Sequence, residues 1–309
     1  TPVVVPVVRR AGDEHSSDDN LLSYALSIRI GPAAELNIRR SAGIDPEIFI
    51  HDNREGGWGR CETYNHYASR AMNDCLCFLH EDFVQDRLVG PHDRRFYRAT
   101  PGSGRDRVFR VRAQNAVAFA VGGLKRYVRA SLYRHAGGRV VRTENRAGEA
   151  DFSPVVQVDG QCLIVPKSVW REHPFDEELF RDFHLYDVDF CVRIARRYAN
   201  YICHSVFGEH GSVGSYDDDR YRNVLLFQRR WDGCLPLTVV PMSPREVRET
   251  ETFAAYKFYK RVLSEGRSAY VPFAWSMYRR YRTGRTDLRL LRHALHYALI
   301  LCRRRLRHG

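Results

Sequence analysis

Residues Cys75-Leu76-Cys77-Phe78-Leu79-His80-Glu81-Asp82 form an apolar run that stops abruptly at three polar side chains. Five apolar residues without helical spacing predict a buried strand. In an open α/β sheet, ligands gather beyond the carboxyl ends of such strands. A strand alternates its side chains, so His80 and Asp82 are expected on one side and Glu81 on the other. Hard divalent cations take carboxylate oxygens, and imidazole is an acceptable further ligand for Mn²⁺. An imidazole and a carboxylate at one strand terminus could therefore seat a metal carrying a diphosphate. Taken alone, the pattern equally describes a strand whose last residues reach solvent.

A second cluster lies about a hundred residues on, at Phe183-His184-Leu185-Tyr186-Asp187-Val188-Asp189-Phe190-Cys191. Ahead of it are an apolar strand opened by Asp159-Gly160 and the segment Phe175-Asp176-Glu177; beyond it is Gly208-Glu209-His210-Gly211. In this order the motifs resemble family 2-like glycosyltransferases of the GT-A fold, specifically the branch with streptomycin-biosynthesis-type glycosyltransferase domains. The match runs from about residue 75 to 210, and more loosely from 24 to Trp231. No single motif decides it; the ordered set does.

The resemblance implies an α/β GT-A fold, Rossmann-like, with a mostly parallel central sheet flanked by helices. It implies a metal-dependent, inverting transfer of a hexosyl or N-acetylhexosaminyl group from a nucleotide sugar, with UDP favoured. The acceptor would be a hydroxyl of a glycan, a lipid-linked glycan or a small molecule, as in polysaccharide biosynthesis. Asp52 then falls where the base or ribose is held, and Asn65 beside the base. His80 replaces the first aspartate of the usual DxD motif and could bond a ribose hydroxyl or a metal-bound water. Glu81 joins the nucleotide-binding set. Asp82 matches the last aspartate and, with His210, would hold Mn²⁺ or Mg²⁺. Asp187 falls on the general base, with Tyr186 in place of the acid before it, and Asp189 would position acceptor or donor sugar. Asp159 and Gly160 resemble the segment lining the donor sugar, and Trp231 a late tryptophan of the family. Each has a plainer role as well. Asp52 can cap a turn, Asn65 can sit on an exposed helix face, His210 can be a loop residue, and two carboxylates at a helix start complement its dipole.

Of 309 residues, 49 are basic and 37 acidic, for a net charge of +12. Only four of the 49 are lysine, so part of the basicity fits a GC-rich, bacterial coding sequence. Arginine still binds phosphate bidentately, which leaves a nucleotide diphosphate, an anionic lipid or nucleic acid as acidic partners. Nucleic acid is disfavoured because no compact recognition motif accompanies the arginines. A nucleotidyltransferase of related fold usually carries a basic, glycine-rich loop after its first strand; Gly31-Pro32-Ala33-Ala34-Glu35 is neither. The eight cysteines form no CxxC and sit among apolar neighbours, as in a reducing cytoplasm. There is no signal-peptide pattern from Pro2 to Val8, and no run of about 18 apolar residues.

Three parts are expected: a lead-in at 1–22, the catalytic domain at 23–244, and a basic helical extension at 245–309. Within the domain, strands are predicted at 24–30, 47–50, 75–82 and 115–121, helices at 35–42 and 61–72, and a loop at 91–110. Gly137-Gly138 predicts a hairpin turn. In the extension, helices are predicted at 252–263 and 287–306, and ten arginines lie between Arg279 and Arg307. The apolar stretch His293–Cys302 runs straight into Arg303-Arg304-Arg305. Such a segment, 285–309, fits contact with an anionic membrane surface, making the protein cytoplasmic or peripheral on the inner face. It equally fits a helix packed on the domain with its arginines in water.

Overall fold

The computed structural model of the protein describes residues 5–8, 22–27, 32–42, 46–51, 57–80, 83–85, 107–110, 112–114, 116–117, 125–136, 139–146, 152–204, 208–210, 217–281 and 295. The chain begins with β1 (Val5–Val8), β2 (Leu22–Ser27), α1 (Pro32–Ala42), β3 (Pro46–His51), α2 (Arg60–Arg70), β4 (Cys75–Leu79) and β5 (Phe83–Gln85). A stretch of strands follows: β6 (Arg107–Arg110), β7 (Arg112–Gln114), β8 (Ala116–Val117), β9 (Val128–Ala136), β10 (Arg139–Asn145), β11 (Phe152–Val155), β12 (Gln157–Val158) and β13 (Cys162–Pro166). Then come α3 (Lys167–Glu172), α4 (Tyr186–Ile194), β14 (Ala199–Cys203), β15 (Gly208–His210), α5 (Asp218–Arg230), β16 (Leu237–Thr238), α6 (Pro244–Ser264) and α7 (Val271–Tyr281).

The fold is mixed α/β. Its larger sheet runs β1-β3-β2-β4-β13-β6-β14-β11. β3, β2 and β4 are parallel neighbours, so their carboxyl ends share one edge. β13 enters antiparallel between β4 and β6, β6 and β14 are parallel, and β1 and β11 close the edges antiparallel. Three of these seven pairs are parallel and four antiparallel, which corrects the expectation of a mostly parallel sheet. A parallel pair needs a long, usually helical, crossover. α1 and α2 supply two, whereas the described residues between 83 and 166 contain no α-helix.

A second sheet has the order β12-β7-β9-β15-β5, with β10 on β9. β9 and β10 form the hairpin predicted at Gly137-Gly138, Ala136 pairing with Arg139. The predicted loop at 91–110 is corrected at its end, where β6 joins the larger sheet. Of the strand expected at 115–121, only Ala116–Val117 is described as such. α6 begins eight residues before the helix expected at 252–263, α7 answers to no expected helix, and the other described boundaries of expected elements differ by at most three residues.

The core is centred on β4 and β13. Leu76–Leu79 and all of Cys162–Pro166 are buried, the continuous burial that an all-apolar strand needs on both faces. α2 and α4 cover β4 through Tyr64, whose ring lies 4.7 Å from Phe78 and 5.5 Å from Tyr186. The C-terminal helices join the same core rather than building their own. α6 starts with a capping box in which Ser243 and Glu246 bond each other's backbone amides, with Pro244 following the cap. It packs Phe258 near Tyr221 of α5, while the Tyr221 hydroxyl donates to Glu265 at 2.6 Å. The helix expected at 287–306 lies outside the described residues apart from Leu295. Among the described residues, no helix is long and apolar enough to cross a membrane, and the seven cysteines are free thiols.

Candidate functional site

β4 delivers His80 to the carboxyl edge of the sheet, where it is 8% exposed and its amide donates to Gln161 at 2.9 Å. Two groups meet its Nε2: Arg60 Nη1 at 2.6 Å and the Tyr186 hydroxyl at 3.0 Å. A guanidinium only donates, so Nε2 accepts, the ring proton sits on Nδ1, and the imidazole is neutral. The Tyr186 hydroxyl has one proton and shares it between Nε2 and the Gly160 carbonyl, 3.3 Å away. Arg60, itself buried, lays its guanidinium 3.8 Å over the Phe183 ring, a favourable cation–π contact. Gly160 is needed here, because a Cβ would stand 2.3 Å from the Tyr186 oxygen. Four segments distant in sequence thus meet in one polar knot: the start of α2, the end of β4, the turn before β13 and the start of α4. His80 and Tyr186, the two departures from the family pattern, bond each other.

α4 begins at Leu185, a buried non-glycine residue with φ +65°. That left-handed conformation costs about 1–2 kcal/mol, and it aims the first turn of α4 at the knot. Residues two apart on a helix lie roughly 200° apart. Asp187 accordingly stays half-exposed beside Tyr186, while Asp189 turns inward and is 1% exposed. Its Oδ1 accepts from Trp231 Nε1 at 2.9 Å and faces Arg230 Nε at 3.2 Å. Arg193 Nε stands 3.5 Å from Oδ2. Burial pushes the Asp189 carboxyl above its ordinary range, with Arg193 and Arg230 pulling the other way. Asp189, expected to position acceptor or donor sugar, lies here as an interior ion-pair residue. Trp231 finds its role in the same place.

The segment around Phe175-Asp176-Glu177 is gripped from both sides. Arg230 bonds Asp176, and Arg193 Nη1 donates to the Pro174 carbonyl at 2.6 Å. Burial works to raise the Asp176 carboxyl, but the Leu179 amide and Arg230 outweigh it and hold it below its ordinary value. From α2, Asn65 donates to the Phe175 carbonyl at 2.8 Å and to Glu177 at 2.9 Å. Its oxygen accepts from Trp170 Nε1 and the Phe175 amide, each at 3.0 Å. Both amide hydrogens and both lone pairs of this residue, expected beside the nucleotide base, are used within the protein.

Asp159 is half-exposed on the turn beside Gly160. Asp52, Glu81 and Asp82 lie outside the described residues. The backbone of His210 in β15 is paired opposite Phe83 of β5, the residue that follows Asp82. Among the described residues, no three His, Cys, Asp or Glu side chains converge as a metal site. A cation does not fit at His80 Nε2, 2.6 Å from a guanidinium. The metal expectation therefore rests on Asp82 and His210. Sequence reasoning missed Arg60. Its signal was a basic residue opening a helix right after Gly56-Gly57-Trp58-Gly59, where the dipole disfavours positive charge.

No protein-family model matches the chain, and no curated protein matches it in sequence.

Proposed function

We propose that the chain is a metal-dependent, inverting glycosyltransferase of the GT-A type that transfers a hexosyl or N-acetylhexosaminyl group from a UDP-sugar to a hydroxyl acceptor. One observation carries this reading. Three of the ordered motifs, represented by His80, Gly160 and Tyr186, bond one another at the carboxyl edge of a parallel strand run, where α/β folds bind ligands. The parallel order β3-β2-β4, joined by α1 and α2, supports the fold assignment.

In this reading Asp187, half-exposed beside the knot, is the general base. It takes the proton of the acceptor hydroxyl as that oxygen attacks the anomeric carbon and the bond to the leaving diphosphate breaks. Asp159 and Gly160 line the donor sugar, and Asp52 serves the ribose or base. Asp82 and His210 would hold Mn²⁺ or Mg²⁺, which neutralises charge on the leaving diphosphate. The knot of Arg60, His80 and Tyr186 holds the start of α4, and so Asp187, against the end of β4. We place the enzyme in the cytoplasm, with the basic segment 285–309 on an anionic membrane surface bearing the acceptor.

The test is thermal stabilisation by a panel of nucleotide sugars with and without Mn²⁺. At a hundred times its dissociation constant, a true donor stabilises by about 2.7 kcal/mol. Stabilisation by no nucleotide sugar would remove the reading. Where a donor binds, Asp187→Asn should keep donor affinity and lose transfer by about 10²–10⁴-fold; unaltered transfer would remove Asp187 as base.

A further inference from the structure

α7 has two unlike faces. Ala274, Met277 and Tyr278 are buried, while Pro272, Trp275, Ser276, Arg279 and Arg280 are exposed. At 3.6 residues per turn these five share one stripe, about 12 Å long. Trp275 is 37% exposed, whereas the other three tryptophans are buried or half-buried. Its ring is braced by Tyr259 at 5.5 Å and by Tyr278 at 6.1 Å and 28°. Those two tyrosines stack on each other at 6.1 Å and 19°. A ring fixed in this way loses little freedom when a partner covers it.

One exposed ring is ordinary on a protein surface; its surroundings are not. Trp275, Ser276, Arg279 and Arg280 line an open groove of about 350 Å³. The acids acting on Arg280 are Asp232, which accepts one bond from it at 2.5 Å, and Glu251. A guanidinium has five N–H donors, so Arg280 keeps several for a partner. Arg279 makes no ion pair or hydrogen bond among the described residues. Just beyond α7 the sequence adds Arg282 and Arg285. Arginines in a last turn complement the helix dipole, which accounts for the charge but not for the tryptophan beside it. Guanidinium forks match phosphate oxygens, and a tryptophan ring settles at the headgroup level of a bilayer. The stripe thus complements an anionic phospholipid in both charge and apolar edge.

We propose that the exposed face of α7 seats on an anionic phospholipid surface, with Trp275 entering the headgroup layer and Arg279 and Arg280 donating to lipid phosphates. This rests on the reading that the protein lies against an anionic membrane, and it assigns the contact to a built helix face rather than to the basic segment 285–309 alone.

The test is flotation of the full chain with vesicles of phosphatidylglycerol or of phosphatidylcholine, together with tryptophan quenching by phosphatidylglycerol carrying brominated acyl chains. Wild type should float with the anionic vesicles alone and lose fluorescence to the bromines. Trp275→Ala and Arg279→Glu should each weaken vesicle binding by roughly 5- to 30-fold. Trp275→Phe should float nearly as wild type yet show no quenching, which also serves as the control for folding. Flotation that neither Trp275→Ala nor Arg279→Glu alters, or that brings no quenching, would overturn the inference and leave contact through 285–309 standing. Equal flotation with both lipids would overturn it too, since phosphate pairing would not be the cause. Absence of flotation in wild type would overturn both the inference and the membrane reading, and self-association lost in Trp275→Ala would then assign the face to a second copy of the chain.

Discussion

Gly160→Ala probes the knot at its tightest contact. The added Cβ would lie 2.3 Å from the Tyr186 oxygen, 3.0 Å from the ring carbon bearing it and 3.1 Å from His80 Nε2. An ordinary contact is about 3.5 Å, so the hydroxyl must retreat by about 1 Å. Its ring cannot give easily, being buried between Tyr64 at 5.5 Å and Phe175 at 5.8 Å. Overpacking of this kind costs about 1–3 kcal/mol, and a lost hydrogen bond to His80 adds about 1 kcal/mol. With 309 residues, an unfolding entropy of about 2.1 cal/mol/K per residue sums to about 0.65 kcal/mol/K. A loss of about 3 kcal/mol then lowers Tm by about 4–5 °C. Tyr186→Phe alone should cost about 1 kcal/mol, and it removes the atom that the new methyl strikes. The double variant should therefore be about 1–2 kcal/mol more stable than the two single losses added together, a coupling well above the error of a mutant cycle. Urea denaturation of the four proteins measures it. Strict additivity, or a Gly160→Ala loss below about 0.5 kcal/mol, would refute the contact.

Two further variants test the interior assignments. The folded protein holds the Asp189 carboxyl above its ordinary value, so the stability this group contributes is fully present below about pH 4 and is lost as pH rises through the folded pKa. Asp189→Asn stays neutral throughout; at pH 7 it should be at least as stable as wild type, the difference closing toward pH 3–4, whereas a loss of about 3–5 kcal/mol at pH 7 would mean that the ion pairs outweigh their desolvation. Asn65→Ala strips the Trp170 and Phe175 donors and the Phe175 and Glu177 acceptors of their partner; equilibrium unfolding should show a loss of about 2–3 kcal/mol, and a loss under about 0.5 kcal/mol would return Asn65 to the surface.

Much of the local structure was legible from residue order. The unbroken apolar runs at Cys75–Leu79 and Cys162–Val165 announce doubly covered strands and Gly137-Gly138 announces a hairpin, whereas the capping box at Ser243-Pro244-Arg245-Glu246 starts α6 eight residues before the helix expected at 252–263. These signals are local: each depends on a few neighbouring residues whose periodicity or turn chemistry admits one conformation. The motif positions were legible too, but only as a set of candidates.

Which of those candidates have their polar groups taken up inside the protein was decided by tertiary contacts. Asp187 and Asp189 are chemically identical and two residues apart, yet one helical rotation leaves the first beside the knot and sends the second into a nest of Arg193, Arg230 and Trp231. Asn65 reads as a binding residue until its four hydrogen bonds turn out to be spent on a segment 110 residues away. Arg60 reads as surface charge until the fold lays it on Phe183 beneath His80. Sequence specifies which donors, acceptors and charges exist and which local conformations they favour. Whether each is consumed inside the protein or left for a partner depends on contacts between segments far apart in the chain, and packing alone brings those together.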